Sequence, residues 1–306
     1  MIPRFCSIGS INMDLVVHVG RFPEPGETLT GSVFNTFPGG KGANQAVALA
    51  KLGADIHLVG KVGDDAFGRQ ESAYLASIGV DISLVETVPA CSTGVAIIEV
   101  DGTGENHIVI VPGANDRMDT NYIEQYLRKN MEGNLYLLQL EIPLDTVLYT
   151  LKVLKKRGKR VILDPAPMPS VDEFEKLLAY TDIVTPNETE IQLFTGIEIT
   201  GLETAEKAGR VLLEHGGSVV IIKAGGKGAY IVSNEGVQHV PAFPVKVTDT
   251  TGAGDSFNAG LAYALGQGWS MNEAVRFASA VGGLACTAYG AQSSMPSLSA
   301  VKKLIG

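Results

Sequence analysis

The chain has only three cysteines in 306 residues, Cys6, Cys91 and Cys286, far apart and with no CxxC pair. That spacing argues against a disulfide framework and a cysteine zinc site, and it suits a reducing cytosol. Positive charge is also scarce: 24 Lys and Arg face 33 Asp and Glu, for a net charge of −9. No basic surface for nucleic acid is expected, and any phosphate must be held by local geometry. No apolar run approaches the ~18 residues of a membrane span. The N-terminus enters the strand-like Phe5-Cys6-Ser7-Ile8-Gly9 without a charged-then-apolar leader, so neither membrane insertion nor secretion is expected.

Several catalytic signatures are missing as well. The Gly-Lys pairs at 40, 60, 158 and 226 are never followed by Ser or Thr, so there is no Walker A loop, and no GxGxxG opens the first crossover. The five histidines are scattered, with no HExxH, and no serine sits in a GxSxG elbow. P-loop, Rossmann dehydrogenase, zinc-hydrolase and serine-triad chemistry therefore lose support.

What is present is the composition of a globular protein, 45% hydrophobic and 19% charged, long enough for one large α/β domain with a small appendage. From about residue 135, short apolar runs (135–140, 161–163, 183–184, 219–222) alternate with helical patterns such as 144–156 and 205–215. This rhythm predicts a doubly wound, mostly parallel central sheet flanked by helices. The runs give way to Glu141, Asp164, Asn187 and Lys223, and the first one to Asn12 and Asp14. Polar residues can simply mark strand ends, but ligands of open α/β sheets bind beyond the carboxyl ends of the strands. Segments near 12–20, 28–37 and 93–111 read as strands, with a Gly-rich hairpin turn over 101–105. They predict a small β-sheet lid that excludes water from the mouth of the main sheet, or else an ordinary edge hairpin.

The strongest local signal is Asp249-Thr250-Thr251-Gly252-Ala253-Gly254-Asp255, between the strand-like Val245-Lys246-Val247 and a helical pattern over 257–265. Glycines at such a junction let amides point at a ligand from a helix N-terminus, making an anion hole. Asp255 is then either a helix N-cap or a base that accepts a hydroxyl proton while the Gly252, Ala253, Gly254 and Asp255 amides stabilise a transferred phosphoryl group. A second cluster, Pro38-Gly39-Gly40-Lys41-Gly42-Ala43-Asn44-Gln45, precedes a helical stretch over 46–52. A third, Gly225-Gly226-Lys227-Gly228, taken alone is a hairpin turn.

Together these segments resemble the ribokinase family of carbohydrate kinases over essentially the whole chain. The resemblance rests on residues 9–14 (GSINMD), 38–44 (PGGKGAN), 93–96 (TGVA), 104–106 (GEN), 112–115 (PGAN), 186–190 (PNETE), 250–255 (TTGAGD) and 290–292 (GAQ), in the family order. It implies transfer of the γ-phosphoryl group of ATP to O5 of D-ribose, with Asp255 as general base. It also implies sugar contacts from Asn12, Asp14, Gly40, Lys41, Asn44 and Glu141. Mg²⁺-bound phosphates would be organised by Asn187 and Glu190, and the nucleotide lined by Lys223, Gly225, Gly228, Gly254 and Ser279. Asp249, Thr251, Ala285, Gly290 and Ser294 match positions that coordinate an activating K⁺, largely through backbone oxygens. A homodimer through the β lid is implied too. Gly252 stands where many members carry alanine, and Ser279 and Ala288-Tyr289 also depart from the family pattern. Sibling kinases of fructose, deoxyribose, a keto-deoxy sugar acid or adenosine would keep Asp255, and a catalytically dead sugar sensor is the alternative outside the enzymes.

Overall fold

The computed structural model describes residues 3–129 and 133–306. The first part of the chain supplies strands β1 (Arg4–Ile8), β2 (Asn12–His18), β3 (Val33–Gly39), β4 (Asp55–Gly63), β5 (Asp81–Val88), β6 (Gly94–Val100) and β7 (Asn106–Val111). The rest supplies β8 (Leu135–Leu138), β9 (Arg160–Leu163), β10 (Ile183–Val184), β11 (Val219–Lys223), β12 (Ala229–Ser233) and β13 (Gly236–Val240). A nine-stranded sheet runs β13-β12-β11-β10-β9-β8-β1-β4-β5, and a four-stranded sheet runs β3-β2-β6-β7. From β5 across to β11 every pairing is parallel, and β12 and β13 turn back antiparallel at one edge.

Alternation along each strand divides the apolar side chains between two cores. Phe5, Leu135, Leu137, Ile162 and Ile221 face one core, which is closed by helices Lys41–Lys51, Ala253–Gly266 and Met271–Ala285. Cys6, Ile8, Tyr136, Leu138 and Val161 face the other, under helices Leu144–Lys156, Val171–Leu178 and Leu202–Glu214. Burial on both faces explains why these strands read as continuous apolar runs, and it is the doubly wound arrangement predicted from their rhythm. The helix predicted over 144–156 has those bounds, while the pattern over 205–215 is the later part of a helix that begins at Leu202.

In the small sheet β2 pairs antiparallel with β3 and parallel with β6, which pairs antiparallel with β7. The expected strand over 28–37 is shifted, running from Val33 to Gly39. Val33 already lies opposite His18, the last residue of β2, so residues 28–31 have no partner strand to satisfy their backbone groups. Residues 245–247 are not a strand either. Their alternating valines line the cleft described below instead.

Helix Ala66–Ser77 packs where the two sheets meet. Its N-cap carboxylate, Asp65, accepts from the Gly68 amide (2.8 Å), the Thr93 amide (2.8 Å) and the Thr93 hydroxyl (2.7 Å), tying the helix to the start of β6. On this helix Glu71 is fully buried, and neither carboxyl oxygen has a hydrogen-bond partner among the described residues. Burial, reinforced by the nearby Asp14 charge, pushes its carboxyl from 4.5 up to about 9. The folded state therefore holds a proton that the unfolded chain releases above pH 4.5. Its stabilising effect is complete below that pH and is lost as pH rises towards 9. Glu71→Met, apolar and of similar length, is expected to remove this slope and to stabilise the protein at pH 8 by a few kcal/mol, on the order of 1.4 per pH unit. Melting temperatures at pH 5.5 and 8.5 check it: the variant should melt several degrees higher at pH 8.5 and close to the wild type at pH 5.5. A variant that melts no higher than the wild type at pH 8.5 contradicts the assignment.

Candidate active site

The helix Ala253–Gly266 starts after Gly252, whose φ of 73° lies in the left-handed region that favours glycine. Gly252, not Asp255, is therefore the cap residue, and no side chain caps this helix. That overturns the N-cap reading of Asp255, which sits inside the first turn, 5% exposed. Its carboxylate faces side chains instead: Oδ2 accepts from Asn44 Nδ2 at 2.9 Å and Oδ1 from Gln45 Nε2 at 3.1 Å. Of the anion-hole candidates, the Ala253 amide donates to the Thr250 carbonyl at 3.2 Å. Among the described residues the Gly254 and Asp255 amides meet no protein acceptor and stay available to a ligand.

On one side of Asp255 lies a cleft of about 450 Å³ beyond the ends of β9, β10 and β11. All the predicted nucleotide positions, Asn187, Glu190, Lys223, Gly225, Gly228, Gly254 and Ser279, line it together with the Gly252–Asp255 turn. The Ser279 hydroxyl is buried with no partner among the described residues, so it is free for a ligand. Asn187 caps helix Glu188–Thr195, and Glu190 returns the bond, accepting from the Asn187 amide (2.8 Å) and Nδ2 (2.9 Å). This capping box fixes both side chains before any ligand binds.

On the other side the predicted sugar residues gather where the chain passes between the sheets. Asn12 and Asp14 lie on β2, and Asn12 Oδ1 accepts from Asn115 Nδ2 at 2.7 Å. Glu141 Oε2 accepts from the Lys41 amide at 3.2 Å and from Ser10 Oγ at 2.5 Å. Gly40 takes a φ of 85°, and a Cβ there would stand 2.7 Å from the Asn12 nitrogen, so the approach of the two segments requires glycine. Lys41 belongs to both sides, since its side chain also lines the cleft.

The charges are unequally matched. Asp255, Asp164, Glu141 and Glu190 surround Lys41, two of them, Asp164 and Glu190, also face Lys223, and Asp14 adds its carboxyl beside Glu141 and Asp255. Burial pushes the Asp14 carboxyl up to about 7, helped by Glu141 and Asp255. Burial also raises Asp255, against the pull of Lys41. For Lys41 burial acts the other way, yet the surrounding carboxylates outweigh it and hold the ammonium above the usual lysine range. Asp164, 2% exposed, would likewise be raised by burial, but Lys223 at 2.8 Å and Lys41 hold it below the usual carboxylate range.

The predicted cation-loop positions are also neighbours. Asp249 Oδ1 accepts from the Thr251 amide (2.9 Å) and hydroxyl (2.7 Å), and Oδ2 from the Gly290 amide (2.9 Å). The Thr248 and Asp249 amides donate to Cys286 O, next to Ala285, and Ser294 Oγ donates to Ala291 O at 2.9 Å.

Sequence reasoning assigned no role to Asp164, Gln45 or Asn115. Asp164 carried a signal, as the polar residue that ends β9. Gln45 was visible only as the neighbour of Asn44, yet it reaches Asp255, lies 3.3 Å from Asp164, and accepts from Gln139 Nε2 at 2.7 Å. Asn115 holds Asn12 through the PGAN turn, a contact between residues too distant in sequence to be foreseen.

A doubly wound sheet with a buried carboxylate between a cluster of polar side chains and a cleft of about 450 Å³ defines a group-transfer site of the kinase class. Residues 3–298 match the family described as pfkB family carbohydrate kinase. The ribokinase of Haemophilus influenzae is 39% identical over 289 residues, 94% of each chain. The deoxyribokinase of Salmonella typhi is 37% identical over 292 residues, 95% of each chain. The structure of Arabidopsis thaliana ribokinase complexed with ribose and ATP superposes with a TM-score of 0.91 at 35% identity, covering 100% of this chain and 99% of that one. The chain belongs to the pfkB family of carbohydrate kinases, phosphotransferases that act on sugar hydroxyl groups.

Proposed function

We propose that the protein is an ATP-dependent D-ribose kinase that phosphorylates O5. The observation that carries this reading is the position of Asp255, bonded to Asn44 and Gln45 on the polar side and lining the cleft with Gly254 on the other. The sugar hydroxyl gives its proton to Asp255 as its oxygen bonds to the γ-phosphorus. The bond from that phosphorus to the bridging oxygen breaks, and ADP leaves with the electron pair. Charge developing on the transferred group faces the Gly254 and Asp255 amides and the ammonium groups of Lys41 and Lys223. Asn12, Asp14, Lys41, Asn44 and Glu141 orient the sugar.

The excess of carboxylates makes the site hostile to a bare triphosphate, which fits the use of a divalent cation. Asn187 and Glu190 would hold Mg²⁺ through water, since both Glu190 oxygens already accept from Asn187. When bound, that ion neutralises phosphate charge. Asp249, Thr251, Ala285, Gly290 and Ser294 would supply a monovalent cation with oxygens. The three cysteines are free thiols, which suits a reducing cytosol. No helix among the described residues is long and apolar enough to cross a membrane. The small sheet exposes Val33, Phe34, Ile97, Ile108, Val109 and Ile110, an apolar surface suited to a homodimer formed through the lid.

The test is coupled ADP release across D-ribose, 2-deoxyribose, fructose and adenosine, in K⁺, Na⁺ and a bulky organic cation at fixed ionic strength. Ribose should give the highest kcat/KM, because a site built to hydrogen-bond a hydroxyl rejects analogues that lack it. K⁺ should activate over Na⁺. Another substrate exceeding ribose by about tenfold, a full 1.4 kcal/mol of preference, overturns the ribose assignment, and equal rates in all three cations remove the cation site.

A further inference from the structure

We propose that Lys51 is a positioning residue for phosphoryl transfer, its ammonium serving as a fixed cation that clamps the turn behind the anion loop. Lys51 ends helix Lys41–Lys51, whose first turns carry Lys41, Asn44 and Gln45. Its Nζ donates to three backbone carbonyls of one short segment: Gln292 O at 2.7 Å, Met295 O at 3.2 Å and Ser293 O at 3.3 Å. An ammonium has three N–H donors and no acceptor, so its whole capacity is spent on this turn. Those carbonyls lie in or just after the four-residue helix Ala291–Ser294, where backbone acceptors have no helical partner and a cation complements the dipole.

The clamped turn abuts the catalytic loop. A Cβ on Gly252 would stand 3.0 Å from Ala291 Cα, so the turn forms the wall against which the start of the Asp255 helix rests. Gly290, at its head, donates to Asp249 Oδ2 at 2.9 Å. Gln292 Nε2 donates at 3.4 Å to Gly39 O, just ahead of the Lys51 helix. The turn is thus gripped from both ends of one helix, by Gln292 near its beginning and Lys51 at its end. Through it the helix that carries Asn44 is registered against the loop that carries the Gly254 and Asp255 amides. Without the ammonium, three carbonyls lose their common donor and the wall behind Gly252 is released.

The proposal rests on the reading of Asp255 and its loop as the phosphoryl-transfer site, and the test separates the two. Lys51→Met keeps the aliphatic stem and removes the donors, and Lys51→Arg restores charge and donors. With ribose and MgATP, Lys51→Met should lower kcat about tenfold or more, since small misplacements of reacting groups cost up to about 10²-fold. The ribose KM should stay within about twofold, an energy difference of under half a kcal/mol, and Lys51→Arg should recover most of the rate. Hydrogen exchange on the ligand-free protein should quicken in peptides covering 249–256 and 288–296 and stay unchanged in helix Leu144–Lys156. Wild-type kcat in Lys51→Met overturns the proposal. So does a loss that Lys51→Arg does not recover, or exchange that quickens everywhere, because either marks a general loss of stability. If the wild type phosphorylates no sugar but exchange quickens only at those two peptides, the clamp stands and the functional reading falls.

Discussion

Replacing Asp255 with asparagine is expected to lower kcat by about 10²–10⁴-fold, the usual loss for a general base, while ribose Kd changes little. The fold should survive because the pocket can repack its amides. Asp255 accepts from the side chains of Asn44 and Gln45, and Asn44 Oδ1 is buried with no partner among the described residues. Turning the Asn44 amide over would offer that oxygen to the side-chain NH₂ that the substitution introduces and put the Asn44 NH₂ where an unpartnered oxygen already stood, so the number of unpaired buried polar groups does not rise. Asparagine cannot take the hydroxyl proton, and Lys41 loses the carboxylate that most strongly holds it charged. Because Gly252 occupies the cap position, no capping effect competes with this forecast. Stopped assays for kcat, calorimetry for ribose Kd and a thermal melt on one preparation check it. A folded variant that keeps more than about a tenth of wild-type kcat, far less than a general base contributes, would falsify the mechanism.

The second large effect is expected at the floor of the cleft. Lys223→Met leaves the Asp164 carboxylate, 2% exposed, without the ammonium that stands 2.8 Å away. An unpaired buried charge of this kind costs about 3–5 kcal/mol. Gln45 at 3.3 Å and the more distant Lys41 compensate in part, so a value near 3 kcal/mol is expected. Adding Asp164→Asn to Lys223→Met should recover most of the stability but not the activity, because Lys223 also lines the cleft proposed to hold the nucleotide. Urea unfolding of the wild type, both single variants and the double variant gives the coupling energy directly. A Lys223→Met variant within about 1 kcal/mol of wild type, the range of an exposed ion pair, shows that the pair holds nothing.

Much of the fold was legible because the signals are local and redundant. Strands β8 to β11 are covered on both faces, so their apolar runs stand out from the amphipathic helices between them. The small sheet was less legible: β3 starts at Val33 because β2 ends at His18, and the end of a partner strand is invisible from one segment. Val245-Lys246-Val247 misled for a related reason. Alternating valines look alike whether they pair in a sheet or line a cleft.

Within the site, the identity of the chemically able residues could be read along the chain. Gly39, Gly40 and Gly42 lie at one helix N-terminus and Gly252 and Gly254 at another, and an acid, an amide or a lysine follows each strand that feeds the cleft. Those are properties of neighbouring residues, set by backbone freedom and periodicity. How those groups pair depends on long-range packing. Asn44 and Gln45 meet Asp255 across 211 and 210 residues, and Lys51 reaches Gln292 across 241. Each contact exists because β1 lies between β8 and β4 in the sheet, which brings two helices from opposite ends of the chain together on one face. The charge states follow from the same packing, since burial and neighbours, not residue type, set whether Asp164 is held ionised and Asp255 is raised.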